Sequence, residues 1–342
     1  MSDRILEALS GVMHPAEGRD IVSLGMVENL QTTPGEIKFN LVFKRKDPLA
    51  ASIKAACRER LEAEFPQCKV SILELVRSTP APAKAAPVNP DLENLVQVGS
   101  VIAVASGKGG VGKSMVAVNL AITLARKGYK VGVADADIYG PSIPKMTGTE
   151  EAQPEAEIEG EKQTLIPIEK YGVKWMSIGY FARPEQALIW RGPMASNALK
   201  QMILQVAWGE LDYLLIDLPP GTGDIQISLV NDVPLDGVFV VTTPQSVALA
   251  DVEKSIDMFV NPKVDKHIFG IIENMAWFTP EEYPDHKYYI FGRGGAEKLA
   301  GKYNLPLLAQ IPLVASISSD GDSGTPAALH DGPVFEALSE IF

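Results

Sequence analysis

The sequence has few cysteines. Cys57 and Cys68 are the only two in 342 residues, and none follows Cys68. Two thiols in so long a chain argue against a disulfide framework and favour a reducing cytoplasm. The sequence also lacks any run of about 18 or more apolar residues, so it predicts no membrane-spanning helix. Residues 1–11 mix charges and lack the apolar core of a signal peptide.

Positive charge is also scarce. Lysine and arginine number 31 against 43 aspartate and glutamate residues, which gives a net charge of -12. This balance disfavours nonspecific nucleic-acid binding through a broad basic surface. The C-terminal segment GPVFEALSEIF offers no basic amphipathic helix for a membrane. Hydrophobic residues make up 46% of the chain, which suffices for a large core, and the length suits two domains.

A change in composition predicts two domains. The stretch STPAPAKAAPVNP, residues 78–90, is rich in proline and alanine and is typical of an extended linker, which we place at residues 79–97. Before it, residues 1–78 predict a small α+β domain. Its elements are a short helix near residues 4–11, strands at 21–31 and 36–44, a helix at 47–65 and a strand at 68–75.

The remaining residues, 98–342, predict an α/β fold. Short apolar strands alternate with longer amphipathic segments, a pattern typical of a mostly parallel sheet with helices on both faces. Ligands of such sheets bind beyond the carboxyl ends of the strands. The predicted strands are Val101–Ala105, Val131–Ala134, Val173–Ile178, Leu214–Ile216, Val238–Val241, Ile268–Ile272 and Leu307–Ile311.

A glycine-rich segment follows the first of these strands. SGKGGVGKS fits the phosphate-loop pattern G-x-x-x-x-G-K-[ST] between a strand and a helix. Glycines let backbone N–H groups turn onto phosphates, Lys113 reaches the β- and γ-phosphates, and the Ser114 hydroxyl binds Mg²⁺. Lys108 is either a solvated charge or a cation that reaches a nucleotide in a facing subunit. The predicted nucleotide-binding residues of the loop are Gly107, Lys108, Gly109, Gly110, Val111, Gly112, Lys113 and Ser114.

Three acidic residues end predicted strands. Asp135 and Asp137 lie in VGVADADIYGPS, and Asp217 lies in DYLLIDLPPGTGD. Of the first two, one can hold a magnesium-bound water and the other can orient the attacking water. Asp217 is placed as the Walker B acid, which binds magnesium through water. The alternative for each is a helix cap or a turn residue.

The motifs SGKGGVGKS, DADIYGPS, IDLPPGTGD and TTPQ occur in this order, together with WRGPM and IENM. With these motifs, the chain resembles the Mrp/ApbC/Nbp35 branch of the deviant-Walker P-loop ATPases. Members of this branch are iron–sulfur cluster carriers. The N-terminal segments SLGMVENLQ and DPLAASIKAAC resemble the small MIP18-like domain that is often fused to them. The resemblance covers essentially the whole chain.

This resemblance implies a cytoplasmic homodimer that sandwiches ATP and Mg²⁺, hydrolyses ATP slowly and delivers iron–sulfur clusters. Its partners would be apoproteins and assembly factors, with no nucleic acid and no membrane. The family pattern makes Lys108 the signature lysine, and Asn274 the reader of adenine unless it is a turn or cap residue. The implied catalytic residues are Lys108, Lys113 and Asp137, and the implied magnesium site comprises Ser114, with Asp135 and Asp217 acting through water.

One departure from the family concerns cysteine. Many members carry C-x-x-C after the ENM segment, and two pairs across a dimer supply the four thiolates of a [4Fe–4S] cluster. Here that position reads MAWFTPEEYPDHKYYIFG, without cysteine, so the usual cluster site is absent. Cys57 is then the candidate cluster thiol. The alternative for both cysteines is a small apolar residue that packs in the core.

The aromatic segment, residues 277–291, occupies the place of the missing cysteines. It is either a packing surface or subunit interface, a docking patch for client proteins, or a replacement metal site at His286 with Glu281, Glu282 and Asp285. A cluster-free ATP-dependent scaffold or regulator is therefore the alternative function. A partitioning ATPase is disfavoured by the acidic charge, and a nitrogenase-reductase-like electron donor by the lack of paired cysteines.

Overall fold

A computed structural model of the chain describes residues 2–14, 19–33, 35–43, 50–76, 90–160, 162–181, 192–280, 282–283, 286–314, 321 and 323–342. Contacts divide the chain into two compact units, one within Met1–Lys84 and the other within Ala85–Phe342.

The N-terminal unit packs two helices against a three-stranded sheet of order β3-β4-β5. Strand β4 pairs antiparallel with β3 and parallel with β5. The predicted strand at residues 21–31 begins later in the structure, because the chain turns before Gly25, which has a φ of 67°. The elements are α1 (Ser2–Ser10), β1 (Met13–His14), β2 (Arg19–Asp20), β3 (Val27–Thr33), β4 (Glu36–Phe43), α2 (Ala50–Glu64) and β5 (Lys69–Val76).

The second unit contains an eight-stranded sheet of order β10-β11-β7-β12-β6-β13-β14-β15. All neighbouring strands are parallel except β10 and β11, so the predicted fold class and all seven predicted strands are confirmed. The antiparallel edge strand β10 was not predicted. The strands of this sheet are β6 (Val98–Ser106), β7 (Val131–Asp135), β10 (Ile168–Lys170), β11 (Val173–Ser177), β12 (Leu211–Asp217), β13 (Gly237–Thr242), β14 (Ile268–Glu273) and β15 (Leu307–Gln310). Strands β8 (Ala156–Glu159) and β9 (Lys162–Leu165) pair antiparallel with each other in a separate two-stranded sheet.

Apolar cores lie on both faces of this sheet. Along β6, Val101, Ala103 and Ala105 join one hydrophobic cluster, whereas Ile102 and Val104 join the other. Alternate side chains of a strand point to opposite faces, so helices cover both sides. These helices are α3 (Lys113–Arg126), α4 (Ile143–Thr147), α5 (Gly192–Leu204), α6 (Asp224–Asp232), α7 (Ser246–Val260), α8 (Gly295–Tyr303) and a C-terminal helix (Pro333–Ser339).

The structure differs from the predicted linker at its end. Pro90–Leu95 forms a 3₁₀ helix, and Leu95 is buried in the core of the second unit. The Asn94 Nδ2 atom donates a hydrogen bond to the Leu204 carbonyl at 2.8 Å. Composition could not predict this helix, because it depends on the packing of Leu95 and the hydrogen bond of Asn94 to residues distant in sequence. Residues 79–89 of the predicted linker lie outside the described residues. Within the described ranges, no helix has the length and apolarity to cross a membrane.

Candidate nucleotide-binding site

The sheet topology brings the sequence motifs together. Strand β6 ends at Ser106, and the glycine-rich loop then leads into α3 at Lys113. Its neighbour β12 ends at Asp217, which is paired in register with Asp135 at the end of β7. Because parallel strands finish at the same edge, the phosphate loop and both acids meet there.

The loop has the backbone of a phosphate cradle. Gly110 and Gly112 adopt φ angles of 82° and 81°, a left-handed region that glycine occupies without steric cost. Gly107 is needed for another reason: a Cβ atom there would lie 2.3 Å from the backbone carbon of Asp251. The loop and Asp137 line a cavity of about 230 Å³ at the start of α3, where the helix dipole favours an anion.

Lys113 lies at the centre of a buried charge cluster. Its Nζ atom lies 2.7 Å from Asp217 Oδ1 and 3.5 Å from Asp137 Oδ2, and the lysine is only 5% exposed. Burial lowers the pKa of Lys113, but the Asp217 and Asp137 carboxylates outweigh it and leave the pKa above its usual value. The ammonium group therefore remains charged, as phosphate binding requires.

The predicted magnesium ligands also contact each other. Ser114 Oγ donates a hydrogen bond to Asp217 Oδ2 at 2.5 Å. A hydroxyl and a carboxylate at the mouth of a phosphate cradle are the oxygen donors that Mg²⁺ prefers, so these residues fit the ion. Burial raises the pKa of Asp137, and the negative charge of Asp217 raises it further. The positive charge of Lys113 lowers this pKa, but the net shift is upward.

Asp135 lies behind this cluster and is fully buried. Its Oδ2 atom accepts hydrogen bonds from Ser177 Oγ at 2.8 Å and from the Ile143 N–H at 3.3 Å, while its Oδ1 atom accepts the Asp137 N–H at 3.2 Å. Burial and the charge of Asp217 raise the pKa of Asp135 to about 7, against the effect of Ser177 and Lys113. Both oxygens are thus engaged by the protein, and the predicted role through a metal-bound water remains a prediction.

Sequence reasoning missed Ser177. This residue ends β11, the strand next to β7, and its backbone pairs with Asp135. A small polar residue at the end of a predicted parallel strand was the available signal, because the ends of neighbouring strands converge.

The two remaining predicted nucleotide contacts lie on either side of the loop. Lys108 lines the cavity and is half-buried, and no carboxylate in the described part of the chain pairs with its side chain. Asn274 is 1% exposed, and its Nδ2 atom donates to the Val111 carbonyl at 2.9 Å. Asn274 thus contacts the phosphate loop itself, while its predicted contact with adenine remains a prediction. Trp190 and Arg191 of the WRGPM segment lie outside the described residues.

The aromatic segment follows β14, whose carboxyl end lies at the same edge of the sheet. Phe278 pairs with Tyr288, and the Lys287 ammonium lies 3.7 Å from the centre of the Trp277 ring. Tyr283 and Tyr288 are 59% and 51% exposed, which leaves much of their surface available for a partner.

The replacement metal site gains no support. Glu281 and Asp285 lie outside the described residues, and the His286 ring packs edge-on against Tyr283, with ring centres 5.8 Å apart. Among the residues that the structure describes, no group of three or more histidine, cysteine or acidic residues could hold a metal ion.

The candidate cluster thiol lies in the N-terminal unit. Cys57 is on α2 with no exposed surface, and burial raises the pKa of its thiol to about 11. Cys68 is half-buried at the edge of the same core. A buried, protonated thiol is a poor metal ligand, so these contacts favour the packing role for Cys57.

A larger cavity, of about 990 Å³, lies beside the outer strand β15. The residues that line it include Trp277, Leu308, Leu313 and Glu336, with neither glycine nor lysine among those described. The described residues of this larger cavity therefore lack the groups that bind phosphate. The smaller cavity, which is lined by the glycine loop and Lys113, has them.

Comparison with known proteins shows the family of this chain. The family described as NUBPL iron-transfer P-loop NTPase matches residues 97–342, and the family described as iron-sulfur cluster assembly protein matches residues 2–72. The iron-sulfur cluster carrier protein of Synechocystis sp. is 39% identical over 326 residues, which cover 95% of this chain and 90% of the relative. That of Deinococcus radiodurans is 44% identical over 336 residues, which cover 96% of this chain and 89% of the relative.

A solved structure is also similar. The nucleotide-binding protein of Archaeoglobus fulgidus, solved in complex with ADP and with cobalt, is 38% identical and superposes with a TM-score of 0.62. The match covers 73% of this chain and 96% of that protein. The family resemblance of the sequence motifs is thereby confirmed. The chain belongs to the NUBPL iron-transfer P-loop NTPase family.

Proposed function

We propose that this protein is an iron–sulfur cluster carrier that binds and hydrolyses Mg·ATP. The observation that carries the ATPase part of the proposal is the contact cluster of Lys113, Ser114 and Asp217 at the mouth of the glycine loop. The carrier part is supported by the similarity to iron-sulfur cluster carrier proteins. A lysine, a hydroxyl and an acid brought together by two strand ends are the groups that phosphoryl transfer requires. A buried ion pair used only for stability would not need a cradle of left-handed glycines beside it.

Each residue has a separate task in this proposal. The backbone N–H groups of the loop and Lys113 would hold the β- and γ-phosphates. Ser114, with Asp217 acting through water, would hold a magnesium ion, which would neutralise phosphate charge. Asp137 orients the attacking water, whose oxygen bonds to the γ-phosphorus as the bond to the β-phosphate oxygen breaks. The products are ADP and dihydrogen phosphate, which keeps both hydrogens of the attacking water. Asp135 positions the Asp137 backbone through its hydrogen bond.

We further propose that two copies act together. Lys108 is half-buried at the rim of the cavity and has no carboxylate partner in the described part of the chain, so its ammonium can reach a nucleotide held by a second copy. In a homodimer, each site would receive one such lysine. Nucleotide binding would then set the dimer geometry and the affinity for apoproteins and assembly factors. A reducing cytoplasm suits the two free thiols.

A cluster-free scaffold is a second candidate, and one observation favours it. No cysteine follows Cys68 in the sequence, and Cys57 is completely buried with a raised pKa. A dimer of this chain contains four thiols, and a [4Fe–4S] cluster needs four thiolates. Holding a cluster would thus engage every cysteine, including two that lie in hydrophobic cores.

Anaerobic reconstitution separates the two candidates. Purified protein is incubated with iron and sulfide, the bound iron and sulfide are counted per dimer, and transfer to an apoferredoxin is followed by absorbance. The carrier proposal expects a transferable cluster that Cys57→Ser abolishes while ATP hydrolysis is unchanged. Failure of the wild-type protein to acquire a cluster, with ATP hydrolysis intact, would refute the carrier role and leave the scaffold.

A further inference from the structure

The phosphate loop has a buried anchor on the neighbouring strand. The carbonyl of Val111, the residue before Gly112, accepts a hydrogen bond from Asn274 Nδ2 at 2.9 Å. Both Val111 and Asn274 are 1% exposed, so water cannot replace this donor. A buried carbonyl without a partner would destabilise the loop, which makes the contact a determinant of loop conformation.

Asn274 is itself held firmly. Its backbone N–H donates to the Thr242 carbonyl at 2.8 Å, and the following residue, Met275, has a φ of 55°. The chain then pairs with the segment after β15 through the Ala276 N–H and the Ile311 carbonyl at 2.9 Å. Hydrogen bonds on both sides fix the position from which the Asn274 side chain reaches the loop.

The fit between the two segments is close. A Cβ atom on Gly112 would lie 2.3 Å from Asn274 Nδ2, so a side chain at that position would displace the Asn274 amide from the loop. The peptide between Val111 and Gly112 is planar and trans, and its N–H therefore points away from its C=O. Fixing the carbonyl on Asn274 therefore fixes the Gly112 N–H on the opposite side of the peptide, and Gly112 is one of the residues that line the cavity.

We propose that Asn274 is a positioning residue for phosphate binding, which orients the peptide between Val111 and Gly112 so that its N–H faces the phosphates. The inference rests on the proposed binding of ATP and assigns to Asn274 a role different from reading the base. The base-reading role would use Asn274 Oδ1, which is buried and has no hydrogen-bond partner among the described residues. The two roles therefore use different atoms of one side chain.

Substitution can separate the two atoms. Asn274→Asp keeps the shape and an oxygen in the Oδ1 position but removes the Nδ2 donor, and Asn274→Ala removes both. ADP, GDP and pyrophosphate are titrated into the full-length protein by calorimetry. Positioning predicts that both variants bind all three ligands about tenfold or more weakly, by a similar factor, because pyrophosphate has no base. The expected loss for Asn274→Asp is at least as large as for Asn274→Ala, since a carboxylate would repel the Val111 carbonyl.

A matched control is available in Asn261→Asp. Asn261 is exposed at the end of α7, and helices that follow parallel strands end at the opposite edge of the sheet from the strand ends. We expect this variant to bind as the wild type does. Circular dichroism and thermal unfolding without ligand show whether each variant is folded. If one Asn274 variant does not fold, the other still tests the inference.

The outcomes are distinct. A loss of ADP affinity in Asn274→Ala, with pyrophosphate affinity unchanged in both variants, would overturn the inference and restore base reading, because Asn274→Asp keeps an oxygen in the Oδ1 position. Unchanged affinity for all three ligands would overturn both roles for Asn274. Failure of the wild type to bind ADP would instead refute the proposed ATPase function. Parallel losses for ADP, GDP and pyrophosphate in a folded variant support positioning, because reduced stability alone would not weaken binding by the folded molecules.

Discussion

Asp135→Asn should stabilise the protein much more at alkaline pH than at acid pH. The Asp135 carboxyl is fully buried, and its pKa rises from 3.8 to about 7 in the folded protein. Between about pH 4 and pH 7 the folded protein therefore binds the proton more tightly than the unfolded chain does. The free energy of unfolding of the wild type falls with rising pH over this window and levels off above it.

The magnitude follows from the shift. At about 1.4 kcal/mol per pKa unit, ionising Asp135 in the folded state costs at most about 4 kcal/mol. Asparagine avoids this cost but cannot accept the Ile143 N–H with the atom that replaces Oδ2, a loss of about 1 kcal/mol. By pH 5 the wild type has already lost about 1.6 kcal/mol of this, so we expect the variant to be less than about 1 kcal/mol more stable than the wild type at pH 5 and roughly 3 kcal/mol more stable at pH 8.

Guanidinium unfolding without nucleotide and with a chelator tests this. All four tryptophans lie within residues 97–342, so fluorescence reports on the unit that contains Asp135. Asp232→Asn, at an exposed position on α6, serves as the control and should follow the wild-type pH profile. A difference between wild type and Asp135→Asn that does not change from pH 5 to pH 8 would refute the reasoning, because it would mean that Asp135 has the same protonation in both states.

Further predictions concern the loop and the N-terminal core. Lys108→Ala should lower the rate of ATP hydrolysis at least tenfold while leaving ADP affinity nearly unchanged, because the lysine acts on the transferring phosphate of a facing subunit; equal losses in steady-state rate and calorimetric affinity would contradict this. Gly107→Ala should destabilise the second unit by more than about 3 kcal/mol in guanidinium unfolding, since its Cβ would overlap the backbone of α7, whereas Gly109→Ala meets no atom within 4 Å and should cost less than about 1 kcal/mol. In native protein at pH 8, Cys57 should react with a thiol reagent much more slowly than Cys68, because it is buried with a pKa raised to about 11; equal rates without denaturant would show that the N-terminal core opens readily.

The aromatic segment and the linker mark where sequence reasoning was less informative. The sequence alone leaves several roles open for the aromatic rings of residues 277–291, because such side chains occur in cores, interfaces and docking patches alike. The structure shows Tyr283 and Tyr288 half-exposed, which composition could not reveal. Likewise, the ordered Pro90–Leu95 turn depends on the burial of Leu95 against residues distant in sequence.

The parallel sheet, the glycine-rich loop and the acidic residues at the strand ends could be predicted from the sequence alone. Strand, glycine loop and helix are local features, and their order along the chain suffices to predict them. The tertiary structure decided which atoms meet. Lys113 donates a hydrogen bond to Asp217, Ser177 donates one to Asp135, and Asn274 donates one to the Val111 carbonyl. Cys57 is buried in the N-terminal core. These contacts join residues far apart in the chain, and only the pairing of strands and the packing of helices sets the distances between them.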